Sequence, residues 1–190
     1  MKKILIVFFC MMLVSANIFA QSDLPGNGNG GKDKIGAWLG EPSIGLSYSH
    51  EFNDLMELDL LAGVTDFLVS DGYKVNIRSG LLFTVWEPVI KGQKCPLTIG
   101  PAVDINSYIL NKPAFIGLAV LCPIRWEVNF SKTPAFNLFI EVAPAIGFYY
   151  ALSEPIRQDS FETKRINDKI AITWTPQIGL GLRYRIPSKK

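Results

Sequence analysis

The chain of 190 residues has one histidine, His50, and three cysteines. That leaves little material for a zinc centre or a histidine-based catalytic site. Charge is also scarce. Asp, Glu, Lys and Arg make up 19% of the residues, below the roughly 25% of ordinary soluble domains. A formal charge of +2 excludes a strongly basic binder of nucleic-acid phosphates. Hydrophobic residues at 48% and a mean hydropathy of +0.22 exclude intrinsic disorder. The length suits one domain, with or without a tail.

What is present begins with a targeting pattern. Lys2 and Lys3 precede an apolar run from Ile4 to Val14, and Ser15 to Ala20 turns smaller and more polar. This is the layout of a secretory signal peptide over 1–20; a membrane anchor needs about 20 apolar residues. Its removal takes two lysines and no acid, leaving a mature chain with seventeen charges of each sign. Cys10 lies within the apolar run, so Cys95 and Cys122 remain, too few for a disulfide scaffold.

Residues 21–34 (QSDLPGNGNGGKDK) are rich in Gly and Asn and read as a flexible leader. Gly26 to Gly31 lacks the strand and helix of a phosphate-binding loop. From Ile35 onward the pattern is alternation of period two. Ile44, Leu46, Tyr48 and Phe52 oppose Ser43, Gly45, Ser47, Ser49 and Glu51, and Leu58, Leu60, Ala62 and Val64 oppose Glu57, Asp59 and Gly63. Val75, Ile77, Leu81 and Phe83 oppose Lys74, Asn76, Arg78 and Gly80, and Ile99, Val103 and Ile105 oppose Gly100, Ala102 and Asp104. Leu118, Ile124 and Trp126 alternate with Ala119, Arg125 and Glu127, and Ile140, Val142 and Ile146 with Glu141, Ala143 and Ala145. The last segment sets Ile178, Leu180, Leu182, Tyr184 and Ile186 against Gly179, Gly181, Arg183 and Arg185.

Turn signals such as Asn53-Asp54, Asp71-Gly72 and Asn111-Lys112-Pro113 separate these segments. Seven segments emerge, and Lys34 to Gly40 supplies an eighth, unless it is one bent strand running through Glu41-Pro42. The expected fold is all-β: an eight-stranded antiparallel up-and-down transmembrane β-barrel over 35–187, with a tail at 188–190. Leu152 to Lys169 is the one long polar loop, between strands seven and eight.

Alternation alone does not say which face is outside, since a lipocalin-like barrel would turn the same apolar residues inward. Three features favour lipid outside. The polar row is mostly small residues with few lysines. Its charges nearly balance, as a low-dielectric interior requires. Many segments reach the roughly 9–11 residues of a tilted membrane strand. Interior ion pairing is therefore expected among Glu57, Asp59, Lys74, Arg78, Asp104, Arg125, Glu127, Glu141, Arg183 and Arg185. With periplasmic termini, the 152–169 loop faces outward, and Arg157, Asp159, Glu162, Lys164 and Arg165 are its candidate binding residues.

Gly40-Glu41-Pro42-Ser43 with Gly45-Leu46-Ser47-Tyr48, then Glu141-Val142-Ala143-Pro144 and Gly179-Leu180-Gly181-Leu182-Arg183-Tyr184, resemble a family of small bacterial outer-membrane β-barrels. More broadly the chain is similar to the membrane domain of the outer membrane protein A family. The resemblance implies an eight-stranded barrel, associated in some members with surface interactions, and carries over no catalytic residue. Such barrels usually end on an aromatic residue read by the assembly machinery; here Pro187 to Lys190 follow Tyr184 and Ile186.

Catalytic chemistry finds little support. His50 needs a nucleophile and an orienting acid, and its neighbour Ser49 points to the other face of a strand. Glu57 and Asp59 share a face, but a filled barrel has no cleft for substrate. A metal at Glu57, Asp59 and Asp104 competes with Arg78 and Arg125. Cys122 belongs to the apolar row, and Cys95 lies at a turn beside Lys94. The Asn129-Phe130-Ser131 sequon is attributed to chance. No catalytic residue, cofactor or metal is expected. The functional expectation is a non-enzymatic protein of the cell outer membrane with a structural or surface-interaction role. Its partners would be outer-membrane lipid, the barrel assembly machinery and an extracellular protein of unknown identity, with no nucleic acid. The alternatives are a soluble periplasmic lipocalin-like carrier of an apolar ligand, and a narrow channel.

Overall fold

A computed structural model describes residues 31–41, 43–65, 73–109, 115–130, 132–133, 135–152, 163–174 and 176–187. The chain is all-β, and its main sheet closes into an eight-stranded antiparallel barrel. The first four strands are Asp33–Glu41, Ile44–Asn53, Met56–Thr65 and Tyr73–Trp86. The next four each have two segments: Leu97–Ile99 with Ala102–Ile109, Phe115–Leu121 with Ile124–Asn129, Phe136–Ala143 with Ala145–Ala151, and Ile170–Trp174 with Gln177–Ile186. Every strand pairs with its neighbours in sequence. Closure comes from the first strand running along the eighth, Asp33 opposite Ile186 and Glu41 opposite Ile178. The Glu41-Pro42 question resolves as two strands, since Leu39 pairs with Ile44 and Trp38 with Gly45.

The segment breaks share one cause. Proline has no N–H to donate to a ladder, and Pro101, Pro123, Pro144 and Pro176 lie at the four breaks. Their positions are adjacent around the barrel. Leu81 N donates to Pro101 O at 3.0 Å, Gly100 N to Pro123 O at 3.2 Å and Cys122 N to Pro144 O at 3.0 Å. The sheet therefore bends along one seam without losing those carbonyls as acceptors. Inside the bend sit small side chains, Ala102, Ala119, Ala143 and Ala145, with Leu121.

Two boundaries move. The first strand begins at Asp33, so the leader ends earlier than composition suggests, and Lys34 belongs to the wall. The 152–169 segment is not all loop. Thr163–Arg165 pairs with the eighth strand, Lys164 opposite Ile172 and Arg165 opposite Ala171. A turn over Ile166 to Lys169 then connects the two, with Ile170 N donating to Asn167 Oδ1 at 2.9 Å.

The alternation is expressed with the apolar row outward. Among the described residues, 33 large apolar side chains are exposed, Leu46, Ile77, Ile105, Val120 and Leu182 among them. Five large apolar side chains are buried: Trp38, Leu61, Leu82, Leu121 and Phe139. The inner row instead carries the charges.

Candidate functional site

Adjacent strands supply inner-row charges at one level. Arg125 stands opposite Glu141 across strands six and seven. Its Nη2 lies 2.6 Å from Asp59 Oδ1 and 2.7 Å from Glu141 Oε2, and its Nη1 3.3 Å from Glu57 Oε1. Arg78 reaches the same two acids from strand four, Nη1 at 2.6 Å from Glu141 Oε1 and Nη2 at 3.0 Å from Asp59 Oδ2. Arg183 joins Glu127 and, at 3.1 Å, Glu57, while its Nε donates to Asn137 Oδ1 at 2.9 Å. Lys34 Nζ sits among three carboxylates, 2.6 Å from Glu57, 2.8 Å from Glu51 and 3.2 Å from Glu127. Arg185 completes the layer with a forked pair to Glu51 at 2.6 and 2.8 Å.

Five cations, Lys34, Arg78, Arg125, Arg183 and Arg185, thus meet five carboxylates, Glu51, Glu57, Asp59, Glu127 and Glu141. The balance is what burial demands, because an isolated charge in a low-dielectric interior is expensive. Planar guanidinium forks suit such sharing better than ammonium groups. Two rings close the space between them. Trp38 and Phe139 stack with centroids 5.8 Å apart. The guanidinium carbons of Arg125 and Arg183 lie 4.2 and 4.5 Å from the Phe139 centroid, a cation–π arrangement. Gly179 and Gly181 make room: a Cβ on Gly179 would lie 2.6 Å from Trp38 Cζ2, and one on Gly181 would run into the Phe139 ring.

Eight of the ten expected interior residues join this network. Lys74 and Asp104 do not. Lys74 is on the inner row but donates to Tyr149 Oη at 3.2 Å and lies over that ring. Asp104 faces Arg78 in register, yet Arg78 is committed to Asp59 and Glu141, and Asp104 accepts instead from Asn76 and Asn106 at 3.0 and 3.1 Å. The ion-pair expectation for Asp104 is thereby corrected: its partners are amides. Glu51, which parity places on the same polar row, joins the network as well, whereas Lys34, Asn137 and the two rings were missed. Stepping back by twos from Trp38 through Gly36 reaches Lys34, so parity marks it as an inner residue, while the glycine-rich context marks it as leader.

Toward the end that holds the termini, the layer floors an open cavity of about 310 Å³, lined among others by Lys34, Glu57, Thr98, Glu127 and Arg185. His50 lies outside the wall, Nδ1 2.8 Å from Asp33 Oδ1, with Tyr48 Oη 2.7 Å from that same atom. Ser49 points inward to Arg183 at 2.9 Å, so serine and histidine occupy opposite faces. Cys122 is exposed on the apolar row and Cys95 is buried. Burial pushes the Cys95 thiol up from its ordinary range, which suppresses the nucleophilic thiolate. Of the loop candidates, Lys164 is exposed on the short added strand and Arg165 lies 3.8 Å from Asp168. Arg157, Asp159 and Glu162 lie outside the described residues. No protein-family model, curated protein or solved structure matches this chain.

Proposed function

We propose that this chain is a non-enzymatic outer-membrane β-barrel, exported by its N-terminal signal peptide, with a structural or surface-interaction role carried by the 152–169 segment. The observation that carries the reading is the inversion of the barrel: an apolar outer wall around an ion-paired interior. Water gives no reason to expose such a wall, because each apolar Å² left wet forgoes about 25 cal/mol. Lipid supplies the missing apolar phase. The first four strands have 9, 10, 10 and 14 residues, enough to cross a hydrocarbon layer at a tilt. Exposed aromatic rings stand toward both ends of the wall, Trp86, Phe136 and Tyr184 at one and Tyr150 and Trp174 at the other, as interfacial girdles require. The termini face the periplasm and the longest connection faces outward.

A lipocalin-like carrier needs an apolar chamber, and here the inner row holds charges and amides. A channel needs a continuous water path, and the layer of Arg78, Arg125, Arg183 and two stacked rings interrupts it. Cell fractionation with heat-dependent gel migration tests the proposal. The protein should pellet with membranes, come out in detergent and migrate faster unheated than boiled. Recovery in the aqueous periplasmic fraction would overturn the membrane assignment.

A further inference from the structure

We propose that Asp104, Asn76 and Asn106 hold a small hard cation, of the sodium or calcium kind, inside the barrel between the ion-pair layer and the end opposite the termini. Asp104 is 2% exposed, Asn76 3% and Asn106 4%. Asp104 is the buried carboxylate for which the described residues offer no cation within ion-pair distance, Arg78 being engaged by Asp59 and Glu141. A carboxylate so deeply buried needs a positive partner as well as hydrogen bonds.

A second, independent observation points to a ligand. The side-chain oxygens of Asn76 and Asn106, and the hydroxyl of Ser43, are buried without any hydrogen-bond partner. Orphaned oxygens on both amides that hold one unpaired carboxylate, with a third on Ser43 beside Asn76, are a costly arrangement. One change turns both orphaned amide oxygens toward the carboxylate. A half-turn of each carboxamide exchanges its oxygen and nitrogen, which have almost the same shape. The two amide oxygens then occupy the positions from which the amides now donate, 3.0 and 3.1 Å from Oδ2 and Oδ1 of Asp104. Oxygens at such separations are of the spacing that surrounds a cation bound at about 2.3–2.6 Å. The turned Asn76 amide would face Ser43: a point where Gly63 would carry its Cβ is 2.8 Å from Asn76 Oδ1 and 3.0 Å from Ser43 Oγ. Carboxylate plus carbonyl oxygens, with no sulfur or imidazole, select a hard ion. The set carries one negative charge, which a monovalent ion neutralises and a divalent ion exceeds.

This departs from the sequence expectation of no metal, and from the Glu57, Asp59 and Asp104 grouping considered there. Glu57 and Asp59 are spent on arginine and lysine, so the partners of Asp104 are amides instead.

The Tyr149 ring adjoins Asn106 across Gly117, which provides a reporter. The full chain folded in detergent micelles is titrated with terbium while tyrosine is excited. Sensitised emission should appear, saturate, be displaced by calcium, and be lost in Asp104→Asn. Asn106→Ala should bind terbium roughly 10-fold or more weakly, and it serves where Asp104→Asn does not fold. Glu87→Gln, at the rim of the cavity near the termini, should leave the emission unchanged. In parallel, the unfolding midpoint is measured in sodium, calcium and choline chlorides at equal ionic strength. A midpoint raised by sodium, by calcium or by both relative to choline identifies the occupant. Emission that survives Asp104→Asn and Asn106→Ala, or equal midpoints in all three salts, would overturn the proposal in favour of ordered water.

Discussion

At the scale of single residues, the interior works by sharing. Arg125 touches Asp59, Glu57 and Glu141, and Glu141 touches Arg78 as well as Arg125. Removing one member therefore strands several. Arg125→Met should destabilise the barrel by about 3–5 kcal/mol, because Asp59 and Glu141 stay buried with less compensation. Glu141→Gln should cost a similar amount by freeing Arg78 and Arg125. The double variant should cost less than the two summed, since each change removes the charge that the other leaves alone. Urea unfolding of the four proteins in micelles measures the cycle. Additive costs would mean that the two side chains are solvated separately, contrary to their burial and their 2.7 Å contact.

At the scale of the strand, period-two alternation specifies most of the wall. Ile178, Leu180, Leu182, Tyr184 and Ile186 do alternate with Gln177, Gly179, Gly181, Arg183 and Arg185, and the parity survives Pro123 and Pro144 without a slip. Inner apolar residues were illegible for the same reason that the outer row was clear. Trp38, Leu61 and Phe139 sit on the row that otherwise reads as polar or small, and a hydrophobic residue there breaks the pattern rather than marking a core. The balance of inner charges was legible from parity. Which acid meets which base was not, because Arg78 and Glu141 lie 63 residues apart and meet only across the closed lumen. Asp104 shows the cost of inferring partners from register alone: Arg78 is opposite in the ladder and turned elsewhere. The strand also explains a glycine. A side chain on Gly181 has no space beside Phe139, so Gly181→Val should force the ring off Arg125 and Arg183. Overpacking of this kind costs about 1–3 kcal/mol. Phe139→Ala combined with Gly181→Val should recover part of the loss in the same unfolding assay; an unrelieved loss would place the clash elsewhere.

At the scale of the whole molecule, the barrel has two different ends and, on the membrane reading proposed above, a wall of graded depth, and both can be probed. Leu180 pairs with Leu39 and Ile140 in mid-strand, whereas Ile186 pairs with Asp33 at the rim. Leu180→Arg should destabilise the barrel in phospholipid by about 2–4 kcal/mol and Ile186→Arg by at most about 1 kcal/mol. Equal costs would contradict the depth assigned to the wall. The two ends differ in how they close. At the termini end, the second and third strands turn tightly through Asp54-Leu55, with Asn53 Oδ1 accepting from Leu55 N and Met56 N at 2.9 Å. At the other end, strands seven and eight are joined by the longest connection, and part of it, Thr163–Arg165, adds a short strand along the edge of Ile170–Trp174 that faces away from Ala145–Ala151. Lys164, Arg165, Asp168 and Lys169 are exposed there. A rigid scaffold bearing a long polar connection is where recognition residues concentrate, and charges of this density suit the connection to water rather than hydrocarbon. Trypsin added to intact cells should therefore cut within 152–169 and spare the strands, whose ladder bonds hold their own lysines and arginines in place. Because the barrel closes through the first and eighth strands rather than through this connection, the nicked protein should still migrate as a compact species before boiling. Deleting residues 153–162 should likewise leave folding intact and remove any surface binding. Protection in intact cells with cleavage only after lysis would place the 152–169 segment on the periplasmic side and invert the orientation.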